Sequence, residues 1–211
     1  MIDNAFRARL PDCTGWLIKI YRLLGLTPNQ ITILGFLIAL SAAALIARGH
    51  LTAAIAAWWL GRLLDGTDGI YARANNQATP FGAYLDILCD MAAYSSMIVG
   101  FAIQFPHYEL QWLVILLLYV LCITGALALG ALETEGKVPP KDNRGLRLAA
   151  GLAEGGETGI AYTLFLLLPL YLHALTLMWI VILAVTVLAR SYLAFQELRD
   201  FIKTPEKHYD I

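Results

Sequence analysis

The chain is expected to fold as an all-α membrane protein. It should have six transmembrane helices, an N-terminal amphipathic helix on the membrane surface, and both termini in the cytoplasm. Three observations predict this. Of 211 residues, 59% are hydrophobic and only 15% charged, a balance foreign to a soluble domain. Apolar runs recur at 31–47, 51–74, 81–104, 110–133, 158–174 and 175–196, each near the ~20 residues that cross the hydrocarbon. The basic residues cluster in alternate connections, as the positive-inside bias requires.

In chain order, residues 1–12 are polar and lack an apolar stretch, so no cleavable signal peptide is expected. Residues 14–25 mix Trp16, Leu17, Ile18, Ile20, Leu23 and Leu24 with Lys19 and Arg22, which predicts a short helix lying on the membrane. Thr27-Pro28-Asn29-Gln30 breaks and caps the chain before the first apolar run. The second and third runs carry acidic residues and are weaker by hydropathy. Thr79 and Pro80 mark the turn between them, and Pro80 suits the first turn of a helix. The one long polar connection is 134–157, punctuated by Pro139-Pro140 and glycines. Residues 1–211 are expected to form a single membrane domain, with 1–26 as the surface helix and 27–200 as the six-helix core.

Orientation follows by counting. With six spans, one side receives Arg7, Arg9, Lys19, Arg22, Arg73, Lys137, Lys141, Arg144, Arg147, Arg199, Lys203 and Lys207, and the other only Arg48. That side is therefore the cytoplasm. A net charge of −1 excludes a nucleic-acid binder driven by bulk charge. Cys13, Cys89 and Cys122 are scattered and odd in number, so neither a disulfide framework nor a zinc site is expected.

Chemistry concentrates between Asp65 and Asp90, where four carboxylates (Asp65, Asp68, Asp86, Asp90) and Arg73 lie within 26 residues flanked by apolar sequence. A carboxylate in hydrocarbon costs at least a few kcal/mol, so four together require compensation. A hard divalent cation with oxygen ligands is the simplest source. At 100° per residue, Asp65, Asp68 and Ala72 share one helix face, and Asp86 and Asp90 are an i, i+4 pair on the next helix. A short connection makes those helices antiparallel neighbours and joins the two faces in one pocket. Gly69 and Gly82 leave room where backbone or ligand must come close.

This stretch resembles, position by position, the signature D-x2-D-G-x2-A-R-x8-G-x3-D-x3-D of the CDP-alcohol phosphatidyltransferase family, with every fixed position matched. In length and hydropathy the resemblance extends over residues from about 25 to about 200. It implies an integral membrane enzyme that transfers a phosphatidyl group from CDP-diacylglycerol to the hydroxyl of a small alcohol, releasing CMP, in phospholipid synthesis. It also implies one or two Mg2+ or Mn2+ ions, membrane lipids as surroundings, no nucleic-acid partner, a homodimer, and a bacterial-type cell membrane with the site facing the cytoplasm.

The resemblance assigns Asp65, Asp68 and Asp86 as metal ligands. It makes Asp90 both a completing ligand and the general base that takes the acceptor's proton; spacing alone does not separate Asp90 from Asp86. Arg73, planar and always charged, suits the diphosphate. Gly69, Ala72 and Gly82 would let the nucleotide lie against backbone. By resemblance the cytidine end is held by Asn29, Gln30, Ile31, Thr32 and Thr79, where Asn29 and Thr32 also suit N-capping.

For the acceptor, Arg144, Arg147, Glu154, Glu157 and Arg190 are candidates, with conflicting charges. The acids would repel a phosphate but hold a polyol's hydroxyls or an amine, and they equally suit the N-terminus of the fifth core helix. Arg190 is an intramembrane cation and a site candidate on that ground. Two other functions remain open from sequence. One is transfer of a CDP-linked amino alcohol to diacylglycerol, which the same signature serves. The other is an ion-binding transporter, although the paired broken helices of such folds are absent from the sequence.

Overall fold

The computed structural model describes residues 15–134 and 155–203. Among these the only regular structure is helical. Residues 15–23 form α1. It is followed by α2 (Pro28–Ala47), α3 (Leu51–Ala74), α4 (Pro80–Gln104), α5 (Glu109–Thr134), α6 (Gly155–Leu167) and α7 (Leu172–Lys203). Short 3-10 turns at Pro106–Tyr108 and Pro169–Tyr171 lead into α5 and α7.

The starts are set by local chemistry. The Thr27 hydroxyl accepts from the Gln30 amide at 3.4 Å, and the Gln30 side chain accepts from the Thr27 amide at 2.9 Å, a capping box with Pro28 in the first turn. Thr79 caps α4 by accepting from the Gly82 amide at 3.0 Å, with Pro80 next. One expected boundary moves. The runs 158–174 and 175–196 are divided at Leu168–Tyr171, not between residues 174 and 175. Leu168, preceding Pro169, leaves the helical region at φ −123°, ψ 54°, because proline crowds the residue before it.

Four described stretches are long and apolar enough to cross a bilayer: Pro28–Ala47, Pro80–Gln104, Pro106–Leu132 and Pro169–Gln196. The expected set was six. The helix α3 falls outside the four because Arg62, Asp65, Asp68 and Arg73 dilute its apolarity, and α6 has only 13 described residues. Large side chains such as Leu37, Leu110, Leu113, Leu117, Val120 and Leu188 face outward, as lipid-exposed surfaces do.

The main core joins Trp58, Met97, Phe101, Trp112, Tyr162, Phe165 and Leu183, all nearly or fully buried. A smaller cluster of Leu17, Tyr21, Ile31, Leu64 and Tyr71 fastens α1 to α2 and α3. The helices α3 and α4 both pack tightly on α2, and α5 packs mainly on α7. Backbone contact makes the first trio close: a Cβ on Gly61 would stand 2.9 Å from the Gly35 carbonyl oxygen, and one on Gly100 2.6 Å from that of Ala43. Small residues allow such approach where lipid provides no hydrophobic drive.

Candidate active site

The site lies where the end of α3 meets the start of α4. The connection 75–79 is short. Asn76 turns it at φ 55°, a left-handed conformation asparagine tolerates. The Asn75 side chain donates to the Tyr71 carbonyl at 2.7 Å, and the Gln77 amide donates to that of Ala72 at 2.8 Å. The two helices do not pack along each other as the short connection predicts, each lying on α2 instead, yet their acids come together.

Carboxylate oxygens of Asp65, Asp68 and Asp86 all lie within 4.8 Å of one another. Asp68 is buried, and the other two are half-buried. Three converging anions with only oxygen donors suit a hard divalent cation and no softer metal. These three residues could hold a metal ion. Asp90 is placed differently: its Oδ1 accepts from Nη1 of Arg62, one turn before Asp65, and it stands outside the three-carboxylate group. Contact with Arg62 does not set Asp90 apart as a ligand, because Asp65, within the three-carboxylate group, meets the same guanidinium nitrogen. Arg62 Nη1 also donates to Asp65 Oδ2 at 3.3 Å and to the Tyr94 hydroxyl at 3.2 Å.

A cavity of about 160 Å³ opens beside the acids. Asp68 and Asp86 line it, together with Asn29, Thr32, Gly69, Ala72, Arg73, Thr79 and Gly82. The Thr32 hydroxyl donates to Asp68 Oδ2, tying α2 to α3. A Cβ on Gly82 would meet Asn29 Oδ1 at 3.1 Å and Thr79 Oγ1 at 3.2 Å, and one on Gly69 would meet Arg73 Nη1 at 3.2 Å. Both glycines keep this space open.

Gln30 and Ile31 do not belong to the cavity. Gln30 is spent on the capping box, and Ile31 is fully buried in the smaller core cluster. From α1, the Tyr21 hydroxyl lies 2.8 Å from Thr67 Oγ1, and Thr67 itself sits 2.9 Å from the Leu63 and Leu64 carbonyls. Thr67 donates to a carbonyl, so Tyr21 donates to Thr67 and steadies the turn between Asp65 and Asp68. Burial raises the Tyr21 phenol above its ordinary range, so it stays protonated as a donor.

The acceptor candidates do not come together here. Glu157 is in the first turn of α6, and Arg190 lies 3.4 Å from the Cys122 carbonyl on α5; neither lines the cavity. Arg144, Arg147 and Glu154 lie outside the described residues. The start of α6 does reach the site, since a Cβ on Gly155 would stand 2.9 Å from the Tyr94 hydroxyl. Sequence reasoning missed Arg62. The available signal was a cation inside an apolar run, three residues before an acid on the same helix.

A sequence profile for CDP-alcohol phosphatidyltransferases matches residues 25–191. Inner membrane protein YnjF of Escherichia coli K12 is 31% identical over 176 residues, 80% of this chain and 83% of that one. Archaetidylinositol phosphate synthase of Pyrococcus horikoshii is 32% identical over 135 residues, 64% of this chain and 65% of that one. Among solved structures, phosphatidylinositol phosphate synthase of Mycobacterium tuberculosis with CDP-DAG bound is similar in fold. It is 21% identical, with a TM-score of 0.59 over 94% of this chain and 98% of that one. The same protein in complex with manganese and citrate is 22% identical, with a TM-score of 0.59 over 92% and 91%. An acid cluster at the α3–α4 junction, a membrane-apolar exterior and a profile spanning most of the sequence converge: the chain belongs to the CDP-alcohol phosphatidyltransferase family, integral membrane transferases of substituted phosphate groups.

Proposed function

We propose that this protein transfers a phosphatidyl group from CDP-diacylglycerol to a hydroxyl of an inositol-type polyol, releasing CMP, in phospholipid synthesis. The observation that carries the reading is the Asp65–Asp68–Asp86 group, of which Asp68 and Asp86 line a cavity shared with Arg73 and two glycines. The donor is supported by the relative solved with CDP-DAG, and the acceptor class by relatives named for inositol lipids.

Each residue has a task. Arg73 grips the diphosphate with two parallel donors. Asn29 and Thr79, on facing helix starts, offer hydrogen bonds to the cytidine end. Gly69 and Gly82 let the nucleotide rest against backbone. Thr32 fixes the rotamer of Asp68. Asp90 takes the proton from the acceptor hydroxyl as that oxygen attacks phosphorus. Mg2+ or Mn2+, held by Asp65, Asp68 and Asp86, would neutralise charge on the diphosphate and the departing CMP. The start of α6 beside Tyr94 supports acceptor entry from that side.

The chain is further proposed to cross the membrane six times as a single domain, with α1 on the surface and the site toward the cytoplasm. One-sided basic residues support this orientation. Homodimeric assembly is implied by the family. The deciding experiment supplies purified protein with CDP-diacylglycerol, Mg2+ or Mn2+, and inositol, inositol phosphate, glycerol 3-phosphate or serine in turn. CMP release with inositol or its phosphate is expected. Release with none of them, or undiminished release by Asp90→Asn, would overturn the reading.

A further inference from the structure

The helix α1 turns three different faces to its surroundings. At about 100° per residue, Leu17 and Tyr21 share an inner face, and they are the only buried residues of 15–23. Trp16, Ile20 and Leu23 share a second face and stay exposed, Leu23 by 86%, and Leu24 in the following turn is 64% exposed. Lys19 and Arg22 are exposed on a third. So short a helix is marginal in water by itself. Its inner face joins only the small cluster with Ile31, Leu64 and Tyr71, apart from the main core. An outer apolar stripe flanked by basic side chains is the pattern that binds an anionic leaflet.

The inner face reaches the site. The Tyr21 hydroxyl meets Thr67 Oγ1 at 2.8 Å, and its ring stands edge-on to that of Tyr71, with centroids 5.5 Å apart. Thr67 is fully buried and lies between Asp65 and Asp68 in sequence.

We infer that α1 engages an anionic leaflet, and that this engagement seats Tyr21 on Thr67 and so holds Asp65 and Asp68 at the spacing a metal ion needs. The apolar stripe dips below the headgroups while Lys19 and Arg22 lie against them. The leaflet supplies the burial that two inner side chains alone do not. Neutral headgroups offer the two cations no net attraction, so the partner is an anionic lipid surface. Tyr21 is a positioning residue: it touches no substrate and acts through Thr67, fixing the α3 turn that carries two metal ligands.

The inference rests on the proposed transfer reaction, and two readouts keep their failures apart. Full-length protein is reconstituted in phosphatidylcholine vesicles with rising phosphatidylglycerol and one fixed fraction of CDP-diacylglycerol. CMP release with inositol or its phosphate is measured under Mn2+. Hydrogen–deuterium exchange of residues 15–24 is measured in the same vesicles. Wild-type kcat should rise several-fold with phosphatidylglycerol, within the roughly 30-fold that two cations at an anionic surface supply. The rise should shrink at high salt, and exchange in α1 should slow as kcat rises. Lys19→Gln with Arg22→Gln removes only exposed charge. It should match wild type in phosphatidylcholine and ignore phosphatidylglycerol, whereas Lys19→Arg with Arg22→Lys should respond as wild type does. Tyr21→Phe keeps the ring and loses the donor. Its α1 should still gain protection, yet its kcat should stay low in either lipid. Its half-saturating Mn2+ should rise several-fold, compared in identical vesicles so that metal held by lipid cancels.

A charge-neutral double variant that still responds, a rise that high salt leaves intact, or a Tyr21→Phe protein with wild-type kcat and Mn2+ dependence would each overturn the inference. A wild-type protein that releases no CMP overturns the transfer reaction instead. Exchange in α1 then decides alone: protection that follows phosphatidylglycerol upholds the lipid contact, and protection indifferent to it overturns that contact.

Discussion

The Thr32 hydroxyl on α2 donates to Asp68 Oδ2 on α3, so a side chain near the start of one helix sets the rotamer of a carboxylate on the next. A hydrogen bond to a charged group contributes about 1.5–3 kcal/mol. Thr32→Val, nearly the same shape, leaves Asp68 free to turn. Mn2+ affinity measured by spin resonance is expected to fall roughly tenfold, the equivalent of ~1.4 kcal/mol. Unchanged affinity would show that Asp68 needs no such tie.

Removing the metal should silence the protein. Chelator treatment is expected to bring CMP release to background, with recovery on adding Mn2+ or Mg2+. Asp68→Asn and Asp86→Asn should not recover, with losses on the order of 100-fold or more, the scale set by removing electrostatic stabilisation of a transition state. Recovery in either variant at ordinary metal concentration would remove that residue from the ligand set.

Gly82 tests the nucleotide cavity. A Cβ there would crowd Asn29 Oδ1 and Thr79 Oγ1. Gly82→Val should raise KM for CDP-diacylglycerol several-fold with less effect on Mn2+ binding, measured by titrating the lipid donor in mixed micelles. Equal KM values would place the nucleotide elsewhere.

Gly100 tests the packing that holds the site. The Ala43 backbone leaves no room for a methyl group there. Gly100→Ala should destabilise by about 1–3 kcal/mol, the usual cost of overpacking, read as a lower midpoint in a detergent thermal-unfolding assay. No shift would mean that α2 and α4 can separate freely.

Much of this was legible in sequence because a helix turns by a fixed angle. Asp65 and Asp68 had to share a face, and a short turn had to bring Asp86 beside them. The same angle divides Asn29–Thr32: Asn29 and Thr32, three apart, both line the cavity, whereas Ile31 turns into the core. Hydropathy runs unbroken through Leu168, Pro169 and Leu170, so the α6–α7 boundary was hidden from it, although Pro169 marked the place. Spacing counts all four carboxylates alike. Which cation each one meets depends on a rotamer of Arg62, and sequence does not carry rotamers.

The close backbone approach of α2 to α3 and α4 has a consequence beyond stability. Residues 28–104 carry the cavity and all four signature acids on helices locked by main-chain contact, whereas α5 and α7 lean chiefly on each other. Sliding α3 or α4 along α2 would drive main-chain atoms into one another, so the three helices carry the acids and the cavity as a single body.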